Sequence, residues 1–148
     1  MKADCGEMMY RINCLAREPD SVHQAALKMG MSDSVMFMMY IVYQGGGRCP
    51  LHDIRKNTGI SKQTLNSALR KPEKDGIVYL EQSGGKTKTV RFTVKGRDYA
   101  ANTAGRLLNA ECNMFMPWTR EEIDSYMHLA ALTAKYNSDL KRQTEALL

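Results

Sequence analysis

The sequence predicts a mainly α-helical fold (α+β) in which a helix-turn-helix is followed directly by a β-hairpin. Two short helices at about residues 50–71, separated by a turn that contains glycine, predict the helix-turn-helix. Two strand-like segments with a glycine tip between them follow at once, at residues 77–94. Together these elements form a winged helix-turn-helix with a two-stranded β-hairpin wing, and long helical segments flank it on both sides.

The segment before the helix-turn-helix is predicted to be helical. Residues 7–29 have a helical pattern that is interrupted at Pro19, because proline disfavours helix in the residue before it. Ser32 can cap a helix from about residue 33 to residue 44. That helix is apolar on all sides, so we expect it at the centre of the core, and the glycines at 45–47 end it.

The helix-turn-helix begins at Pro50, which fits the first turn of a short helix, and Gly59 fits the position just after that helix ends. Ser61 is a good N-cap for the second helix. Apolar residues at helical spacing form one stripe along the second helix and anchor it to the core. The stripe consists of Leu65, Ala68, Leu69 and Pro72.

Pro72 stands where this second helix should still continue. Its ring removes the N–H that would bond to the carbonyl of Ala68, and it crowds that carbonyl. We therefore expect the helix to kink or end near Lys71, and residues 72–75 to form a separate turn before the wing.

The wing is predicted to consist of strands at residues 77–82 and 87–94, joined by a tip at residues 83–86. Thr93 can cap the next helix, which we expect to run from about residue 94 to residue 110.

The last predicted helix begins after Thr119, with Glu122 at the capping-box position, and extends to about residue 146. Such a helix is roughly 40 Å long, which is more than a small domain can cover by itself. Because it carries apolar residues on several faces, we expect a partner helix to pack against it.

The positive charge is concentrated in the middle of the chain. Residues 48–97 contain twelve Lys and Arg but four Asp and Glu, a net charge of +8. The remaining residues contain nine basic and twelve acidic side chains, a net charge of −3. A cationic module of this kind favours phosphate binding through counterion release, and the alternative is a solvated basic face.

The second helix of the helix-turn-helix carries residue types that bind base edges. Gln and Asn side chains can pair with adenine in a major groove, and Arg or Lys with guanine. The predicted major-groove residues are Ser61, Lys62, Gln63, Thr64, Asn66 and Ser67. Arg70, Lys86 and Lys88 are predicted to hold phosphates or the minor groove. The alternative is an ordinary exposed helix surface, but the cationic hairpin and the helix-turn-helix spacing independently favour DNA.

Membrane and secretion signals are not evident. The longest apolar run, residues 35–43, spans nine residues, whereas a membrane span needs roughly 20. The first residues lack the apolar region of a signal peptide. We therefore expect a cytoplasmic protein that does not enter a membrane.

The four cysteines are scattered at positions 5, 14, 49 and 112. Cys49 and His52 have a CxxH spacing, but a zinc site needs further ligands, so we expect no metal. Free and mostly buried thiols are the favoured interpretation, with a redox-sensing cysteine as the alternative.

Catalytic motifs are not supported. The GGKT at residues 84–87 lacks the earlier glycine of a P-loop, since position 80 is leucine, and it precedes a strand rather than a helix. Neither a G-x-S-x-G motif nor an acid pair with a nearby histidine occurs. We expect no catalytic residues, no cofactor and no enzyme activity.

Four segments carry a resemblance to a known family. They are "MSDSVMFMMYIVY" (31–43), "DIRKNTGISKQTLNSALRKPEKDGIVYLE" (53–81), "VRFTVKGRDYA" (90–100) and "WTREEIDSYMHLAALTAKYNSDLKRQ" (118–143). In these segments the chain resembles the MarR family (multiple-antibiotic-resistance-type regulators), which are winged-helix transcription factors of bacteria and archaea. The Ser-Lys-Gln-Thr helix start and the Phe-Thr-x-Lys-Gly exit from the wing are the most specific parts.

The resemblance implies a single domain over residues 1–148, with a DNA-binding lobe at about 48–97 and dimerisation helices at about 1–30 and 98–148. It implies a homodimer that binds double-stranded DNA at a palindromic operator and represses transcription. It also implies release of DNA by a small aromatic or anionic effector, whose pocket the sequence does not locate. The alternative function is a winged helix used for protein interaction without specific DNA binding.

The sequence departs from the MarR pattern at two places. The family wing usually carries Asp-x-Arg, where this chain has Gly84-Gly85-Lys86. Lysine keeps the positive charge but loses the bidentate guanidinium, and the supporting aspartate is absent. We therefore expect weaker minor-groove readout by the wing. The second departure is Pro72, where the family usually has leucine.

Overall fold

The computed structural model describes residues 21–82 and 84–147. Its elements in chain order are α1 (Ser21–Lys28), α2 (Asp33–Gln44), β1 (Arg48–Pro50), α3 (Leu51–Thr58), α4 (Lys62–Lys74), β2 (Val78–Gln82), β3 (Lys88–Phe92), α5 (Val94–Ala101), α6 (Ala104–Met114) and α7 (Arg120–Leu147). This arrangement confirms the predicted mainly α-helical winged fold. The expectations for residues 1–20 lie outside the described residues.

The chain divides into two compact units, the first ending at Leu108 and the second beginning at Asn109. No single helix among the described residues is long and apolar enough to cross a membrane. Taken together, α1 and α2 reach that length and composition, but their axes differ by 98°.

Helix α2 is the centre of the core in the first unit, as predicted. Met36, Met38, Met39 and Val42 are fully buried, because this helix has apolar residues on every side and neighbours all around it. The helix begins at its predicted cap, where the Ser32 hydroxyl accepts a hydrogen bond from the backbone N–H three residues later, at 3.3 Å. This buried helix is the support on which the helix-turn-helix packs.

The sheet has three antiparallel strands in the order β1-β3-β2, so the prediction of two strands missed β1. Val90 in the central strand pairs with Leu80 on one side and Cys49 on the other. Strand β1 has three residues and ends in Pro50. The strand is hard to see in the sequence because its proline breaks the usual strand pattern, although proline suits the edge position that β1 occupies.

Helix α4 continues past Pro72 to Lys74, so the expectation that it ends near Lys71 is wrong. The residues from Pro72 to Asp75 complete the last helical turn, and the N–H of Asp75 donates to the carbonyl of Lys71 at 2.9 Å. The proline is buried and extends the apolar stripe. The helix tolerates it because burial of the ring, within three residues of the helix end, offsets the loss of one hydrogen bond.

One continuous helix was predicted for residues 94–110, but the structure has two helices there, which corrects this prediction. Helix α5 ends at Ala101, and α6 begins at Ala104. At the break, the Thr103 hydroxyl donates to the carbonyl of Tyr99 at 2.8 Å, and the Asn102 amide donates to the carbonyl of Asp98 at 2.9 Å. Side chains that bond to the preceding turn in this way bend or end helices.

Helix α7 begins with the predicted capping box. The Thr119 hydroxyl accepts from the N–H of Glu122 at 3.2 Å, and the Glu122 carboxylate accepts from the N–H of Thr119 at 2.7 Å. The helix is 28 residues long, and none of its described residues is buried. Its apolar residues are therefore left exposed within the chain.

Candidate nucleic-acid interface

The turn between α3 and α4 has the geometry of a helix-turn-helix. Gly59 adopts a left-handed conformation with φ of 72°, which ends α3, and its N–H donates to the carbonyl of Arg55 at 2.8 Å. The Thr58 hydroxyl donates to the carbonyl of the buried Ile54 at 2.6 Å. These bonds end α3 at Thr58, and the left-handed Gly59 turns the chain so that α4 can begin at Lys62 in a new direction.

The start of α4 is fixed by two hydroxyl groups that bond to each other. The Ser61 hydroxyl accepts from the N–H of Thr64 at 3.1 Å and donates to the Thr64 hydroxyl at 2.8 Å. Both residues were predicted to face the major groove, and both are exposed. These bonds hold the first turn of α4 in shape.

Helix α4 separates its buried and exposed residues as the apolar stripe predicted. Leu65, Ala68, Leu69 and Pro72 are buried. The predicted major-groove residues and Arg70 are all exposed; they are Ser61, Lys62, Gln63, Thr64, Asn66, Ser67 and Arg70. Within the described residues, no hydrogen bond to the protein engages the side-chain amides of Gln63 and Asn66. These two amides are therefore available for an external partner.

The wing carries two exposed lysines on a tip held by one side-chain bond. The Gln82 side-chain amide donates to the carbonyl of Gly85 at 2.9 Å. Lys86 and Lys88 are exposed, and neither forms an ion pair with another described residue. Arg91, by contrast, is paired with Glu81 across the strands. The charge that the wing can offer to a phosphate therefore comes mainly from its two lysines.

A cleft of about 700 Å³ lies beside α4, a feature that sequence analysis did not predict. Its walls come from the start of α2, from α4 and from α5. Residues that line it include Val35, Thr64, Ser67, Lys71, Lys95 and Tyr99. Lys95 is held by a hydrogen bond to the carbonyl of Asp75 at 2.8 Å. The cleft thus combines an apolar wall, an aromatic ring, two cations and one acidic residue, Asp75.

Cys49 is buried in β1, and burial raises the pKa of its thiol. The nearby Asp53 carboxylate raises that pKa further. A raised pKa keeps the thiol protonated, which disfavours both metal binding and oxidation. Cys112 is exposed, and the other two cysteines lie outside the described residues. In residues 21–82 and 84–147, no group of three His, Cys, Asp or Glu side chains is placed to hold a metal ion.

Comparison with known proteins gives a match in structure but not in sequence. No protein-family model matches the sequence, and no curated protein matches it. A MarR family regulator from Neisseria meningitidis superposes with a TM-score of 0.71 at 14% identity, covering 95% of this chain and 99% of that one. AbsC, a MarR family transcriptional regulator from Streptomyces coelicolor, superposes with a TM-score of 0.69 at 13% identity, covering 93% and 97%.

The chain has the MarR fold. NadR, solved in complex with 4-hydroxyphenylacetate, also superposes, with a TM-score of 0.63 at 16% identity over 91% of this chain and 96% of that one. In this MarR fold, α3 and α4 form the helix-turn-helix and the hairpin of β2 and β3 forms the wing. The departure at the wing tip is visible in the backbone, since Gly84 and Gly85 have φ angles of 50° and 116°. A residue other than glycine at position 85 could adopt its angle of 116° only with strain.

Proposed function

We propose that the protein is a transcriptional regulator that binds double-stranded DNA in a sequence-specific manner. The observation that carries the proposal is that α4 has one buried and one exposed face. Its apolar stripe packs against the protein, and its polar face is fully exposed and carries two side-chain amides, of Gln63 and Asn66, that have no hydrogen bond to another described residue. Side-chain amides of this type pair with adenine in a major groove. The exposed lysines of the wing supply phosphate contacts beside this helix.

The regulator acts as a homodimer on a palindromic operator, and it represses transcription. Support for a dimer comes from the middle and end of α7, where Leu132, Tyr136 and Leu140 are exposed within the chain. A two-fold axis would place two copies of α4 at half-sites about one helical turn of DNA apart. We place this regulator in the cytoplasm of a bacterium.

A small aromatic anion is the effector, and the cleft beside α4 is its site. Lys71 and Lys95 can bind a carboxylate, and Tyr99 and Val35 can pack against a ring. The ligand in the NadR structure, 4-hydroxyphenylacetate, has this chemistry. Thr64 and Ser67 belong both to the cleft and to the exposed face of α4. An occupied cleft would therefore compete with DNA at the same helix.

Replacing Gln63 or Asn66 by alanine tests base readout. Each substitution is expected to weaken binding to the specific operator by about 1–3 kcal/mol, because a pair of hydrogen bonds to a base is lost. Binding to random DNA should change much less. The measurement is a gel shift with the DNA upstream of the protein's own gene and with a random competitor. An equal loss on both DNAs would remove these residues from base readout.

Lys86→Ala is the matched control in the same assay, performed at several salt concentrations. This variant should weaken binding to both DNAs and reduce the slope of log K against log salt by about one, because one phosphate contact is lost. An unchanged slope would place the wing away from the backbone. If the wild-type protein shows no salt-dependent, competitor-resistant shift, the alternative of a protein-interaction module replaces the proposal.

Replacing Lys95 by glutamine tests the effector site. The wild-type complex with DNA should dissociate on addition of 4-hydroxyphenylacetate, and the variant should need about tenfold more of it, because a charge-assisted hydrogen bond is lost. Lys74→Gln removes the same charge from α4 outside the cleft and should behave as wild type. A DNA complex that is insensitive to 4-hydroxyphenylacetate and to benzoate would contradict this assignment.

A further inference from the structure

A second depression, of about 540 Å³, lies at the start of α7 in the unit that begins at Asn109. Trp118, Tyr126 and Leu129 provide its aromatic and apolar walls. Glu121 and Glu122 provide the charge, and the lining contains no basic residue. Its chemistry is therefore opposite to that of the cationic surface and cleft described above.

The aromatic wall is held in place by three rings that pack edge to face. The ring centres of Phe115 and Trp118 are 5.2 Å apart, those of Phe115 and Tyr126 are 5.6 Å apart, and those of Trp118 and Tyr126 are 5.5 Å apart. Such pairs are favourable because the positive edge of one ring meets the negative face of the next. Trp118 and Tyr126 nevertheless remain 38% and 49% exposed, so part of each ring can contact a ligand.

One of the two carboxylates is held by the start of α7, and the other is free of ion pairs within the described residues. Glu122 is fixed by the bond between its carboxylate and the N–H of Thr119, at 2.7 Å. Glu121 is exposed, and no other described residue forms an ion pair with it. Arg120, the nearest cation in sequence, is paired with Asp124 at 3.3 Å. The negative charge beside the rings is therefore not neutralised within the described chain.

We propose that this depression binds a small organic cation, such as a quaternary ammonium compound with a short apolar body. The faces of Trp and Tyr attract cations through their quadrupoles, and neighbouring carboxylates add to that attraction. Leu129 supplies the contact for the apolar part. The volume lies within the range of small-molecule sites, which favours a compact ligand. Its lining shares no residue with α4, with the wing or with the proposed effector cleft.

Trp118 is the only tryptophan in the chain, so fluorescence excited selectively at tryptophan reports on this site alone. Titration of the full-length protein with choline chloride, at constant ionic strength, is expected to change the emission with a saturable curve. The neutral analogue 3,3-dimethylbutan-1-ol has the same shape without the charge. It should bind about tenfold more weakly, because the cation–π attraction is lost.

Two variants locate the site while they keep the tryptophan. Glu121→Gln should weaken choline binding about 3-fold, as expected for the loss of one exposed charge, and Tyr126→Leu should weaken it further by removing a ring face. Glu145→Gln removes the same charge near the other end of α7 and should have no effect. Equal responses to choline and the neutral analogue, or equal binding by the Glu121 and Glu145 variants, would overturn the proposal. A dimeric protein with no response would show that the partner covers the depression, and would overturn it as well.

Discussion

Replacing Leu132 by aspartate is expected to convert the proposed dimer into a monomer at micromolar concentration. Leu132 is 48% exposed within the chain, although it sits in the middle of a helix. Tyr136 and Leu140 are also exposed, and their spacing of four residues places all three on one side of α7. An apolar stripe of this length on a single helix favours contact with another protein surface.

The size of the effect follows from symmetry. In a two-fold dimer every substitution occurs twice. Burial of one leucine contributes about 1.5–3 kcal/mol, so the loss of two amounts to about 3–6 kcal/mol, which is roughly a 150- to 25,000-fold weaker dimer. An aspartate that enters the interface adds a desolvation cost to this. Binding to a palindromic operator should fall in parallel, because one monomer holds one half-site.

Light scattering and sedimentation measure this outcome, with circular dichroism to verify that the helices persist. Ala131→Asp is the matched control, since Ala131 is exposed on α7, precedes Leu132 by one residue and lies on another side of the helix. It introduces the same charge and should leave the dimer intact. If the Leu132 variant remains dimeric at the same concentration as the control, the stripe is not the dimer interface.

Most of the fold could be predicted because local signals and the tertiary structure agree. Ser32, Ser61, Thr93 and Thr119 all cap helices as their positions predicted. Each cap satisfies a backbone N–H that would otherwise lack a partner. The apolar stripe of α4 likewise separated the buried from the exposed residues of the candidate site. Signals of this kind depend on residues three or four positions apart, which a sequence displays directly.

The predictions that failed depend on distant parts of the chain. Pro72 remains inside α4 because its ring is buried against the core, and local rules consider the lost hydrogen bond alone. Strand β1 exists because β3 pairs with it from about forty residues away along the chain. The cleft combines residues as far apart as Val35 and Tyr99. Neither propensity nor spacing reveals such combinations.

Replacing Gly96 by alanine is expected to lower the free energy of unfolding by about 3 kcal/mol, which is a large share of the stability of a small domain. Gly96 is buried in the first turn of α5. A Cβ atom at this position would overlap the carbonyl oxygen of Ile77 and lie 2.8 Å from its carbonyl carbon. Real Cβ atoms do not come this close to other atoms, so the backbone at Gly96 or at Ile77 would have to move.

The backbone at Ile77 has little freedom to move. Its N–H donates to the carbonyl of Pro72 at 2.8 Å, and its own carbonyl accepts from the N–H of Thr93 at 3.0 Å. These bonds join the end of α4, the start of the wing and the start of α5 at one point. This junction also explains the Phe-Thr-x-Lys-Gly motif. The Thr93 hydroxyl caps α5 by accepting from the N–H of Gly96 at 2.9 Å. The glycine, which has no Cβ, allows α5 to approach the carbonyl of Ile77 closely.

Gly105→Ala is the matched control, because it places the same methyl group in a helix against a movable neighbour. The Cβ atom there would meet the ring of Tyr43 at 2.8 Å and the carbonyl oxygen of Ala100 at 3.2 Å. Tyr43 is only partly buried, so its side chain can rotate away, and the Ala100 carbonyl needs to shift only slightly. Alanine also gains about 1 kcal/mol of helix propensity over glycine, so this variant should lose little stability. Urea unfolding of both variants, with the slope m compared to wild type, distinguishes the cases. Equal midpoints for the two variants would show that the carbonyl of Ile77 yields as readily as a side chain, and would remove Gly96 as a fixed point of the fold.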